Sequence, residues 1–170
     1  MEPFIIDTKT IVLLLTTLFT GLLAGIFFTW ANAITPGIGR LDDINYLRAF
    51  QNMNRTILNP LFFVVVLSPL ILSFATAYLY KSHHTYIIWL LLAAAILYFA
   101  GVFLVTIMGN IPLNELLEKT DLSNISLEDA RSVRDKFELK WNNLHLIRTI
   151  TSTLSFFLLI IVCLFRNSNL

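Results

Sequence analysis

Four long apolar runs, about residues 11–34, 58–80, 86–108 and 144–165, constrain this chain more than any other feature. Each meets or exceeds the roughly 20 residues that a helix needs to cross a bilayer. A spanning segment in hydrocarbon must satisfy its own backbone, so each run is expected to be helical. Hydrophobic residues make up 56% of the 170 and charged residues only 14%, far from what a soluble domain of this size requires. The expected fold is all-α: a single integral membrane domain over residues 1–170, a four-helix bundle with helical extensions on one membrane face. The first run is too long for a signal-peptide core, and no small-residue cleavage site follows it before Trp30, so it reads as a permanent span. A single cysteine, Cys163, excludes an internal disulfide and a Cys-rich metal site, and reads as a small apolar packing residue.

The net charge of +1 hides an asymmetry. Lys9, Lys81 and Arg166 fall on the side that holds both termini and the second-to-third connection, and the other nine of the twelve Lys and Arg fall on the opposite side. The positive-inside rule then places the 35–57 and 109–143 connections in the cytoplasm and both termini outside, in a plasma (inner) membrane. No segment has the pattern of a nucleic-acid-binding surface.

Met1 to Thr10 reads as a short polar lead-in. In the first run Gly21 and Gly25 are spaced to let a neighbouring helix approach closely, within the chain or across a homodimer. The oligomeric state stays open. Trp30 and Asn32 come near the end of that run, and Thr35-Pro36-Gly37 is expected to stop the helix. From Leu41, with Asp42 as N-cap, an amphipathic helix is expected to continue through Pro60 into the second run with at most a bend. Arg48, Asn52, Arg55 and Asn59 would then form one polar stripe, or the arginines would reach for lipid phosphates. Lys81-Ser-His-His-Thr85 is a tight hairpin whose adjacent histidines diverge too far to clamp a metal. At the end of the third run Asn110 and Asn114 flank an expected helix break at Pro112. Ser126-Leu-Glu-Asp129 reads as a capped start for a charged helix that runs on into the fourth run.

That last helix carries Trp141, His145 and Arg148, whose spacing of four and three puts an aromatic, an imidazole and a guanidinium on one face, continued by Ser152 and Ser155. A cation at the mouth of an apolar run must meet protein, water or a headgroup, so this face is expected to look into the bundle. Antiparallel spans bring Trp30, Asn32, Arg55, Asn59, Asn110, Asn114, Trp141, His145 and Arg148 to the same end. Two readings stand: a cavity for a flat amphiphile whose oxyanion or carboxylate faces the arginines, or a polar seal on the bundle end. No second inward His and no Cys cluster offers a metal or haem site, so no cofactor is expected. A histidine ordinarily titrates near neutrality, so His145 is expected to take a proton from an acidified carbon, with Arg148 and Arg55 stabilising the oxyanion and the Trp and Asn residues holding the substrate.

Asn54-Arg-Thr-Ile-Leu-Asn-Pro60, Asn110-Ile-Pro-Leu-Asn114 and Trp141 followed by Arg148-Thr149 resemble the recurrent motifs of the anthrone-oxygenase-like family of four-span membrane proteins. The resemblance covers essentially the whole chain and departs locally at Leu144-His145-Leu146. It implies oxidation of an anthrone to an anthraquinone with dioxygen, and Arg55, Asn59, Asn110, Asn114, Trp141 and Arg148 as the matched positions. The partners expected are therefore membrane lipids and a hydrophobic aromatic small molecule, an aromatic ketone or quinone-type compound. A non-catalytic protein that binds lipid or a protein partner is the alternative.

Overall fold

The computed structural model describes residues 7–166, so the first six residues of the lead-in lie outside the described chain. Five helices account for its architecture, with no strand among the described residues. They are α1 (Thr8–Ile38), α2 (Asp43–Ile57), α3 (Pro60–Leu79), α4 (Thr85–Glu118) and α5 (Leu127–Phe165). All but α2 are long and apolar enough to cross a membrane, as the runs led us to expect. At 1.5 Å per residue the 39 residues of α5 extend about 58 Å, nearly twice a ~30 Å hydrocarbon core. Its first half therefore projects beyond the span.

Short polar side chains start four of the five helices. Asp7, Asp42, Asn59 and Ser126 accept the backbone N–H of Thr10, Asn45, Phe62 and Asp129 at 2.8, 3.0, 3.0 and 3.1 Å. Each satisfies one of the donors that a helix start leaves open. The Ser126 hydroxyl also donates to the Asp129 carboxylate at 2.7 Å, in keeping with the expected capped start.

The prolines overturn two local expectations. The helix expected to run through Pro60 ends at Ile57, because the residue before a proline is driven from the α region: Asn59 is extended, at φ −125° and ψ 161°. Conversely, Pro112 does not stop its helix, and Pro36 lies inside α1, which ends two residues later at Ile38, close to the stop expected at Thr35-Pro36-Gly37. Each lies two residues beyond a π-helical segment, Trp30–Ile34 in α1 and Thr106–Asn110 in α4. The wider turn gives the proline ring room where it would otherwise collide with the carbonyl of the preceding turn. A further π segment, Phe99–Leu104, lies in α4.

The spans form a closed ring in which α1 packs on α3 and α5, and α4 packs on α3 and α5. One core cluster, with Leu13, Tyr80, Ile87 and Val162, fills the end that holds the α3–α4 hairpin. Another, with Tyr46, Phe50, Leu117, Phe137 and Trp141, seats α2 against the projecting parts of α4 and α5 at the opposite end. Gly21 allows close packing inside the chain, since a Cβ there would lie 2.6 Å from the Phe156 ring, whereas Gly25 faces open space.

Candidate functional site

The inward face of α5 presents Phe137, Trp141, His145, Arg148, Ser152 and Ser155, all buried. Opposite it α1 supplies Phe27 and Trp30, α2 supplies Phe50, and α4 supplies Thr106, Asn110 and Asn114. The Trp141 indole is stacked on the His145 ring at 4.8 Å and meets Phe50 edge-on at 4.7 Å. The indole N–H donates to Asn114 Oδ1 at 2.8 Å, and the Trp141 backbone carbonyl accepts from Asn110 Nδ2 at 3.3 Å. Trp30 lies 5.7 Å from Trp141 and 6.3 Å from His145.

The hydrogen bonds of His145 fix its tautomer. Nε2 lies 3.0 Å from the Phe27 carbonyl, which only accepts, so it carries the proton. Nδ1 lies 2.9 Å from Arg148 Nη2, which only donates, so it presents its lone pair. Arg148 gives a weaker bond to Thr106 Oγ1 at 3.3 Å and lies over the Phe27 and Trp141 rings at 4.8 and 5.4 Å. Arg148 is 7% exposed and, among the described residues, forms no ion pair with a carboxylate. Its Nε–H has no partner there, nor has Oδ1 of buried Asn110. A buried charge of this kind is costly unless an anion or a polar ligand compensates it.

The π segments position this layer. Trp30 opens the first, and the Phe27 carbonyl just before it accepts His145 Nε2, Thr149 Oγ1 at 3.4 Å and the Trp30 N–H. Thr106, the partner of Arg148, opens the third. Gly101 and Gly109, inside the two π segments of α4, approach α5 so closely that a Cβ would collide with Thr151 at the first and lie 2.8 Å from Leu144 at the second. Wide turns of this kind are frequent at functional sites.

A cavity of about 450 Å³ reaches His145 between α1 and α5, with Ala31, Thr35, Arg40, Glu138 and Asn142 in its wall. That volume lies within the ~300–1,000 Å³ of small-molecule sites. A larger groove of about 770 Å³ follows α1 past Leu18, Gly25 and Trp30, but its wall offers little to orient a ligand. A third depression, of about 530 Å³, lies between α2 and the turn after α4.

Of the expected site residues, the fold gathers Trp30, Asn110, Asn114, Trp141, His145 and Arg148. Asn32 is exposed. Arg55 is not at the cluster: its side chain is 57% exposed and pairs with Glu118 at 2.8 Å. Asn59 caps α3 and donates to the Thr56 carbonyl at 3.0 Å. The break before Pro60 separates Asn59 from the stripe, and Arg48 and Gln51 instead clasp the carbonyls of Leu122, Leu117 and Thr120. Sequence reasoning met Thr149 only as part of a family motif and missed Phe27, Phe50 and above all Arg134. The Arg134 guanidinium binds Glu138 at 2.7 Å, Asp43 at 3.0 Å and the Leu41 and Gly39 carbonyls at 2.8 Å each, and covers the Tyr46 ring at 4.3 Å. Burial pushes the Tyr46 phenol up, with Glu138 adding to the shift and Arg134 opposing it. Only its inward spacing marked Arg134 among the charges of a helix read as solvated.

No curated protein and no solved structure is significantly similar to this chain. The sequence model of the Anthrone oxygenase family matches residues 59–158, more than half of the 170. Asn110, Asn114, Trp141, His145 and Arg148 all lie inside that match, and Trp30 and Arg55 lie before it. This four-span membrane protein belongs to the Anthrone oxygenase family.

Proposed function

We propose that the protein binds an anthrone, or a related aromatic ketone or quinone-type compound, beside His145 and oxidises it with dioxygen. One observation carries this reading: His145 and a buried Arg148 form a positively charged pair with no carboxylate partner among the described residues. In such a pair the imidazole Nε2–H, given to the Phe27 carbonyl at 3.0 Å in the ligand-free protein, would have to turn from that carbonyl to a ligand oxygen, and the guanidinium behind Nδ1 strengthens it as a donor. A neutral imidazole then acts as an electrophile toward a carbonyl that becomes an enolate. Of this cluster His145 alone reaches the cavity wall; Trp141, Trp30 and Phe27 pack around its ring from behind, and Asn110 and Asn114 orient Trp141. The enolate is electron-rich enough to react with dioxygen. The methylene carbon loses two hydrogens and gains one oxygen atom as a carbonyl, and the second oxygen atom leaves as water.

In this reading the site end faces the cytoplasm, where most of the Lys and Arg are expected, and the hydrophobic substrate arrives through the membrane. The test is oxygen uptake and quinone absorbance with the purified protein in lipid nanodiscs and a hydroxylated anthrone. One dioxygen consumed per quinone formed, with turnover lowered about 10²-fold or more in Arg148→Gln, is the expected result. Turnover equal in Arg148→Gln, or no anthrone bound at all, overturns the reading in favour of a non-catalytic lipid- or partner-binding protein.

A further inference from the structure

The geometry points to Glu138 as the group that takes the proton from the ligand, an inference that rests on the reading just given. Enolisation breaks a carbon–hydrogen bond; its electron pair moves onto the carbonyl oxygen, and the proton must find an acceptor. His145 is occupied. Its Nε2 already bears a hydrogen, and its Nδ1 lone pair is held by Arg148 Nη2 at 2.9 Å. A proton placed on Nδ1 would point at a guanidinium N–H, so His145 accepts one only if the pair is broken.

The cavity beside His145 has one carboxylate in its wall, that of Glu138. The two carboxylate oxygens differ. Oε2 is fixed by Arg134 Nε at 2.7 Å, and that guanidinium is itself anchored by the Leu41 and Gly39 carbonyls and by Asp43. Oε1 has no hydrogen-bond partner among the described residues and faces Gly39, where an added Cβ would lie 3.4 Å from it. Gly39 also lines the cavity, so the absence of a side chain there leaves room beside the free oxygen. A carboxylate held by one oxygen and open at the other is oriented for a proton transfer without being buried in a closed ion pair.

Position along the helix supports the same assignment. Glu138 precedes His145 by seven residues, two turns on the same face of α5, or about 10 Å of helix axis. An aromatic ketone lying along that face would put its carbonyl at His145 and the acidic carbon on the far side of the ring system toward Glu138. The Glu138 side chain is 28% exposed, so a proton received there has a path to water. The step is complete without an added reactant: carbon–hydrogen bond broken, enolate on the His145–Arg148 side, proton on Glu138 Oε1.

The experiment separates proton removal from oxidation. Protein in lipid nanodiscs is mixed with anthrone in D2O under argon, and loss of the methylene proton signal is followed by NMR while Trp fluorescence reports binding. Wild-type protein should accelerate exchange over buffer. Glu138→Gln keeps an oxygen for Arg134 and should bind within about twofold, yet lose about 10²-fold in exchange rate; Glu138→Asp should recover part of it. Both variants should still unfold cooperatively, at temperatures lowered by no more than the loss of the Arg134–Glu138 ion pair. Exchange in Glu138→Gln at the wild-type rate overturns the assignment while leaving the pocket standing. Wild-type protein that binds no anthrone, or binds it without accelerating exchange, overturns both the pocket's chemistry and the role of Glu138.

Discussion

The two ends of this bundle handle buried polarity in opposite ways. Toward the α3–α4 hairpin, hydroxyls largely satisfy one another or a backbone carbonyl: Thr16 meets Thr76 at 2.8 Å, and Thr20 bonds back to Thr16. Ser155, deeper in the bundle, reaches the Ala94 carbonyl at 2.9 Å, and the Ser73 hydroxyl is the exception, without a partner. At the other end a whole guanidinium is buried with Nε–H unmet, Asn110 Oδ1 and Asn142 Oδ1 lack partners, and two π segments, Trp30–Ile34 and Thr106–Asn110, fall on this half of their helices, while Phe99–Leu104 straddles the middle of α4. A neutral hydroxyl can be absorbed locally at little cost, but a charge in an apolar layer calls for a counter-charge. The first end is closed by its own side chains; the second leaves a buried charge and two amide oxygens unmet by the described residues.

That contrast can be broken most directly at Arg148. Arg148→Met should lower ligand binding or turnover about 10²-fold and, because it removes an unpaired buried charge, raise the stability of the ligand-free protein by about 1–4 kcal/mol. A fall in the unfolding temperature in detergent would mean that the site end is a seal like the other. Next in size, Arg134→Ala should cost about 2–3 kcal/mol, since Asp43, Glu138 and two carbonyls lose a shared partner, and α2 should become the first region to exchange its amide hydrogens. Gly101→Ala should cost about 2 kcal/mol through collision with Thr151, while Gly25→Ala, in open space, should gain up to about 1 kcal/mol of helix propensity. At the hairpin end Thr16→Val alone should cost about 1 kcal/mol in thermal unfolding, and adding Thr76→Val should recover most of it. The smallest effect concerns Asp42, whose carboxylate the Asn45 backbone N–H holds below its ordinary 3.8. Its folded pKa is depressed, so the cap is present above that value and is lost as the pH falls below it. Amide exchange at the start of α2 should rise only in that acid range.

The four spans and the inward Trp141–His145–Arg148 face were legible because each rests on a periodicity that a membrane enforces. Apolar length sets the spans, and a cation at the membrane mouth must turn inward. Asn59 misled because asparagine before proline satisfies two rules at once, as a possible pocket amide and as a helix cap. The cap wins where the preceding backbone must be extended. Arg55 misled because spacing on α2 says nothing of which helix end meets it, and Glu118 does. Phe27 was invisible for a different reason. Its contribution is a backbone carbonyl, which no residue type advertises. The π segments left no pattern in hydropathy either, and they were noticed only as prolines that ought to have ended a helix.

Those wide turns make angular phase a separate variable from hydrophobicity. A regular α-helix advances about 100° per residue, so a single residue accommodated in a π turn changes the compass bearing of everything beyond it. Deleting one residue within Thr106–Asn110 would leave α4 as apolar and almost as long. It would turn Asn114 away from the Trp141 indole and drive the Pro112 ring into the turn behind it. Two chains with indistinguishable hydropathy profiles would then differ in whether the inward face of α4 meets Trp141 at all, and relatives of this protein are best aligned by where their helices are overfilled.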